Sequence, residues 1–248
     1  MKNIFAALAA LLVYGSLGAA PEKQQVAQAP TEGKKSDTPT SAITYSAPLR
    51  GAPATRVGGG TRSVATKSVQ LSVLAPNDTG YTTRDKPTLY WYVSETIDKP
   101  VELTISSTEP LEQAATPAIE LVLQPPVSRG VHALSLAEHN VVLKPGVEYQ
   151  WFVAAVGNAA QRSNDVIAGG TIKFVAETDA VRARLKEASA ASRPALYAGA
   201  GIWYDAIDEL SRLIAAQPEN RELRIQRAAL LEQVGLTEAA TFDRAALR

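Results

Sequence analysis

Apolar and polar residues alternate with a period of two through the middle of the chain, and near Glu177 the period lengthens to about 3.6. In VQLSVLA, Val69, Leu71 and Val73 point one way while Gln70 and Ser72 point the other, the pattern of a half-buried strand. TLYWYVS follows with Leu89, Trp91 and Val93 on one face and Tyr90 and Tyr92 on the other, so both of its faces are expected to be at least partly covered. Between the two, Pro76, Asn77, Asp78 and Gly80 supply a fixed φ, side-chain bonds to the backbone and access to positive φ, which is turn chemistry. Further strands are predicted at VELTISS, AIELVLQ, VHALSLA, VEYQWFVAAV and GGTIKFVAE, with Pro125-Pro126 closing one and Lys144-Pro145-Gly146 opening another. Seven short strands at fairly even spacing predict an antiparallel, immunoglobulin- or fibronectin-like β-sandwich over residues 69–176, with Trp91 and Trp151 as its bulky core anchors.

Beyond residue 177 the spacing predicts helices to residue 248, so the chain reads as mainly β with α. Val181, Leu185 and Ala188 stripe a first helix that ends before Arg193-Pro194. Trp203, Ile207, Leu210 and Ile214 stripe a second, closed by Gln217-Pro218. Leu223, Leu230, Leu231 and Val234 face inward on a third, with Gly235 as its cap, and Thr237 starts a short fourth. Ala206 to Ala240 has the look of one tetratricopeptide unit, and a lone unit cannot bury its own face, so a helical cap on the sandwich or on a partner is expected.

The first twenty residues change the setting. Lys2, an apolar run from Ile4 to Tyr14 and small residues ending in Ala19 and Ala20 have the layout of a secretory signal peptide, too short to span a bilayer comfortably. A periplasmic or secreted protein with no transmembrane segment in its mature form is the expectation. Residues 21–68 are rich in Pro, Gly, Ser, Thr, Ala and Gln and predict a disordered linker. Lys34, Lys35, Arg50, Arg56, Arg62 and Lys67 make it basic against Asp37 alone between Gly33 and Ser68. Over the whole chain Lys+Arg and Asp+Glu both number 25, so no global charge points to nucleic acid.

Candidate chemistry is sparse. There is no cysteine, which removes disulfides, thiolate metal sites and cysteine nucleophiles. His132 and His139 lack the spacing of metal ligands, and no G-x-S-x-G elbow occurs. Asp78 and Asp85 are read as turn residues, and Asp205, Asp208 and Glu209 as the solvated side of an amphipathic helix. No catalytic residue, cofactor or metal is therefore assigned. Tyr90, Tyr92 and Phe152, opposite the tryptophan faces, are the candidates for an exposed binding patch.

LAPNDTGYTTRDKPTLYWYVSE, KPGVEYQW, GGTI and GIWYDAIDEL followed by LLEQVGL together resemble, in the same order, the bacterial family called domain of unknown function 928 (DUF928). The resemblance covers about Val69 to Leu236 and implies an exported bacterial setting, with no activity to carry over. The residues then point to a non-enzymatic protein-interaction or scaffold module whose partner is another envelope protein. The alternative is a carbohydrate-binding or polysaccharide-processing module that presents Tyr90, Tyr92 or Phe152 to the sugar.

Overall fold

The computed structural model describes residues 43–48, 56–60, 69–108, 119–158 and 160–246. Its strands are β1 (Gly59–Gly60), β2 (Gln70–Val73), β3 (Gly80–Thr82), β4 (Thr88–Val93), β5 (Val101–Ser107), β6 (Ile119–Leu123), β7 (Gly130–Ser135), β8 (Glu148–Ala155) and β9 (Val166–Phe174). Five helices follow: α1 (Asp179–Glu187), α2 (Arg193–Gly199), α3 (Trp203–Ala216), α4 (Arg221–Gln233) and α5 (Thr237–Ala245). The seven strands expected from alternation are all present, and so are the four expected helices.

The strands form two sheets, ordered β1-β2-β4-β7 and β3-β9-β8-β5-β6. Every pairing is antiparallel except β3 with β9, which is parallel. The turn at Pro76 to Asp78 therefore carries the chain from one sheet to the other, and what the sequence shows as turn residues ends in the short edge strand β3. Trp91 on β4 and Trp151 on β8 are each 1% exposed, as core anchors should be. Opposite Trp91, Tyr90 and Tyr92 face the helices.

Helix α3 holds the layers together. Its apolar stripe of Trp203, Ile207, Leu210 and Ile214 is buried, and its first turn reaches into the sandwich. The Trp203 indole Nε1–H donates to the Leu74 carbonyl at 2.8 Å, leading out of β2. The Tyr204 hydroxyl accepts from Trp151 Nε1 at 2.9 Å and donates to the Thr171 carbonyl of β9 at 2.9 Å. Gly80 must be glycine here, because a Cβ would stand 2.5 Å from Tyr204 Cε2. Sandwich and helices share one continuous apolar core.

The first helix ends before Arg193-Pro194 as expected, and Pro194 then lies in the first turn of a further helix, α2, where its missing N–H costs nothing. Thr237 is the first residue of α5, also as expected. One expectation needs correction: the 21–68 linker includes two packed stretches. Ile43 is buried, Tyr45 sets its ring edge-on to Trp203 at 4.8 Å, and Gln233 brackets the strand-like segment by accepting from Tyr45 N–H and donating to the Ile43 carbonyl. Arg56 donates to the carbonyls of Ala75 and Val234, both at 2.9 Å, and Val57 exchanges backbone bonds with Gly169. A few apolar and hydrogen-bonding groups suffice to order short segments of low-complexity composition when the docking surface is already built. The remaining positions of that stretch, and the signal-peptide residues, lie outside the described residues. Gly235, at φ +74, does cap α4 as expected, with its N–H on Glu232 and the Leu236 N–H on Leu231.

The Tyr204 hydroxyl serves two buried groups that have no alternative partner from the helix. Tyr204→Phe is expected to lower unfolding stability by about 2 kcal/mol in urea denaturation, with the far-UV spectrum unchanged. A loss within error of zero would show that the indole and the carbonyl find other partners.

Candidate functional site

The side of α3 expected to face water is buried. Asp205 is 1% exposed and Asp208 2%, because β3, β4 and the loop between them cover that face as a second layer. Asp205 accepts from Thr82 Oγ1 at 2.6 Å, from Thr83 N–H at 3.0 Å and from Thr83 Oγ1. Asp208 accepts from the Tyr90 hydroxyl at 2.9 Å and pairs with Arg84 and with Arg212. Glu209 receives the other end of the Arg84 guanidinium at 2.6 Å. Loop and helix are thus joined by ionised and hydrogen-bonded groups that leave no lone charge behind.

Burial raises the Asp205 carboxyl above the ordinary carboxylate range, against the bonds from Thr82 and Thr83 and the charge of Arg84. Burial would lower Arg84, yet Asp205, Asp208 and Glu209 outweigh it and leave the guanidinium held more firmly protonated. The Tyr90 phenol is pushed up, first by burial and then by Asp208.

A second buried charge pair ties α4 to α5. Arg227, in register with the inward stripe of Leu223, Leu230 and Val234, forks onto Asp243 at 2.6 and 2.7 Å and gives its third nitrogen to Ser211 of α3 at 3.0 Å. Arg224 adds a longer contact to Asp243 at 3.7 Å.

Tyr90 and Arg212 of the first cluster and Ser211, Arg224 and Arg227 of the second line an open groove of about 510 Å3 between strand β7 and helices α3, α4 and α5. Four arginines line it, Arg129 from the approach to β7 and Arg212, Arg224 and Arg227 from the helices, and no carboxylate is among its lining residues. Arg129 lies over the Phe242 ring, 5.5 Å from its centroid, and beside the Tyr92 hydroxyl. Glu95 and Glu238 act on Tyr92 from nearby but do not line the groove. Two carboxylates, Asp208 and Asp243, thus stand behind four guanidinium groups, and Asp208 is shared with Arg84 as well. The charged side chains that line the groove are all cationic, and the acids that pair with three of them lie outside its lining.

The aromatic residues proposed from sequence do not gather into one surface. Tyr90 and Tyr92 are buried beneath the helices, at 9% and 2% exposure, Tyr92 packing on Phe242 at 5.4 Å. That corrects the expectation of an exposed tyrosine patch: alternation places them opposite the sandwich core, but a helical layer covers them. Phe152 belongs to the other sheet and lies half-buried across Gly169, its ring filling the space a Cβ there would need. His132 stacks on Trp91 at 4.5 Å and bonds to the Ser128 carbonyl, while His139 is in a turn. Asp78 and Asp85 are exposed. The groove arginines escaped sequence reasoning, although Arg227 breaking an otherwise apolar inward stripe is a legible sign of a buried ion pair.

Two outcomes follow. Asp243→Ala strands the Arg227 guanidinium and is expected to cost about 3 to 5 kcal/mol in urea denaturation, most of it recovered when Arg227→Met and Asp243→Leu are combined. Asp205 binds its proton more tightly folded than unfolded, so its stabilising contribution is complete below the unfolded pKa of about 4 and is lost as pH rises through the raised folded value. The stability of the native chain relative to Asp205→Asn should therefore fall as pH rises from about 4; a difference independent of pH would contradict the burial-driven shift.

Comparison with known proteins brings no activity to this site. No curated protein matches the chain. Among solved structures, a multi-domain immunophilin from Arabidopsis thaliana aligns over 81% of this chain and 99% of its own at 11% identity, with a TM-score of 0.18. The model of Domain of Unknown Function (DUF928) matches residues 57–243, which takes in the sandwich, the helices and all four groove arginines, and the chain belongs to that family.

Proposed function

We propose that this chain is an exported, non-enzymatic interaction module of a bacterial envelope, an immunoglobulin-like sandwich with a tetratricopeptide-like helical cap, that docks an acidic protein partner in the groove between them. The observation that carries this reading is the groove itself, lined by four arginines and no carboxylate. Guanidinium groups bind carboxylates through two parallel N–H bonds, and an open cleft of one sign concentrates ligands of the other. The carboxylates that the groove might have used for proton transfer are engaged elsewhere: Asp208 by Arg84, Arg212 and Tyr90, and Asp243 by Arg227. Protein is favoured over sugar because the stacking surface a pyranose needs is under cover at Tyr90 and Tyr92. No helix among the described residues is long and apolar enough to cross a membrane.

Poly-glutamate is the simplest probe. It should bind the full chain in fluorescence anisotropy, more weakly as salt is raised, and at least about tenfold more weakly to Arg129→Glu combined with Arg212→Glu. Both arginines are exposed, but Arg212 also bonds to the buried Asp208, so Arg129→Glu alone, which leaves that bond in place, should melt with the native chain and weaken binding in the same direction. Binding of polygalacturonate in place of poly-glutamate would favour the carbohydrate reading, and binding of neither would remove the groove from consideration.

A further inference from the structure

Strand β7 is the outer strand of its sheet. Which of its backbone groups are free follows from the phase of the ladder. The Leu74 N–H donates to the Tyr90 carbonyl at 2.8 Å, and the Ser94 N–H to Gln70 on the same side, so Tyr90 and Tyr92 turn their backbones towards β2. Leu89, Trp91 and Val93 then turn theirs towards β7, where the register sets them opposite Leu134, His132 and Gly130. The Leu136 N–H on the Pro87 carbonyl continues the same phase. The N–H and C=O groups of Val131, Ala133 and Ser135 consequently point away from the sheet, and none has a backbone partner among the described residues. Ala133 is also exposed.

This open edge runs along the arginine groove: Val131 and Ala133 line it together with Arg129, Arg212, Arg224 and Arg227. Side chains of Val131 and Ala133 share the helix side of the sheet with their register partners Tyr92 and Tyr90. A strand added to β7 would place every second side chain on that same side, facing the guanidinium groups, at a repeat of about 6.8 Å. Its other side chains would lie over the sandwich side.

Resting on the proposed docking role of the groove, we infer that the partner binds by strand addition: an extended peptide segment with Asp or Glu at alternate positions pairs with β7 and sets its carboxylates among Arg129, Arg212 and Arg224. Two independent features select this occupant. The unpaired amides at Val131, Ala133 and Ser135 have the spacing of a peptide backbone, which a polysaccharide does not share. The exposed arginines beside the edge, Arg129 and Arg212, favour anionic side chains on one face only. A second copy of this chain does not fit, because pairing β7 with β7 would bring two arginine grooves together.

The test uses the full chain and three hexapeptides: alternating glutamate and threonine, the same sequence with lysine for glutamate, and the glutamate peptide N-methylated on the amides that would face β7. Strand addition predicts that the first binds, that the lysine peptide does not, and that N-methylation weakens binding at least about tenfold while leaving all charges in place. Ala133→Pro, which removes only an outward N–H, should weaken the glutamate peptide to a similar degree without shifting Tm. Equal binding of the methylated peptide would overturn strand addition yet leave the groove as an anion-binding surface. If the glutamate peptide fails while poly-glutamate or polygalacturonate binds, strand addition falls likewise, and if no anionic probe binds, the docking role falls with it.

Discussion

The arrangement depends on one helix being buried on two sides. Helix α3 presents Trp203, Ile207, Leu210 and Ile214 to the apolar core, and Asp205 and Asp208 to strands β3 and β4 and the loop that joins them. An amphipathic helix normally has one dry face and one wet face, and its carboxylates stay hydrated. Here the second face loses its water too, so each carboxylate has to receive protein donors in exchange. Thr82, Thr83, Arg84, Tyr90 and Arg212 supply them. Apolar contact alone would let the helix slide over the sheet. Directional bonds from three successive residues, Thr82 at the end of β3 and Thr83 and Arg84 just after it, fix both its height and its rotation.

Fixing α3 fixes the groove. Ser211, Arg212, Ile214 and Ala215 lie further along the same helix, and Arg227 is aimed by its fork onto Asp243 and its bond to Ser211. Much of the groove's charge therefore comes from scaffolding: Arg212, Arg224 and Arg227 are held by the acids that lock helix to sheet and helix to helix. Because the acids lie behind and the guanidinium groups in front, pairs that balance overall still give a one-signed surface. Chain composition, with equal numbers of acids and bases, conceals this.

Periodicity in the sequence made the strands and helices legible, because burial on one face leaves a repeat of two or 3.6 residues that local composition does not blur. Trp91 and Trp151 were assigned to the core for the same reason, and they are there. What periodicity cannot report is a second covering layer. Tyr90 and Tyr92 alternate correctly away from the tryptophans, and Asp205 and Asp208 fall correctly off the apolar stripe, yet Tyr90 and Asp208 meet each other, Tyr92 lies against Phe242 of α5, and Asp205 lies under Thr82 and Thr83. Both mistaken exposures come from the packing of the helical layer on the sheets. Short ordered pieces such as Ile43 to Pro48 and β1 were invisible for a different reason, since they carry too few residues to show any period and owe their order to surfaces built by distant sequence.

An outer strand with free amides is a hazard, since it can pair with another copy of itself, and proteins guard such edges with charge or by covering them. Strand β7 is guarded by charge, but from beside the strand instead of from within it: its own residues are Gly130, Val131, His132, Ala133, Leu134 and Ser135, with no permanent charge among them. A lysine placed in the strand would hinder every incoming chain by crowding the pairing face. Arginines set back on Arg129 and on α3 and α4 leave that face clear and act only through the sign of what arrives. In the proposed docking role they would repel a basic or self-matched edge and draw in an acidic one, so a single set of groups would both guard the edge and choose its occupant.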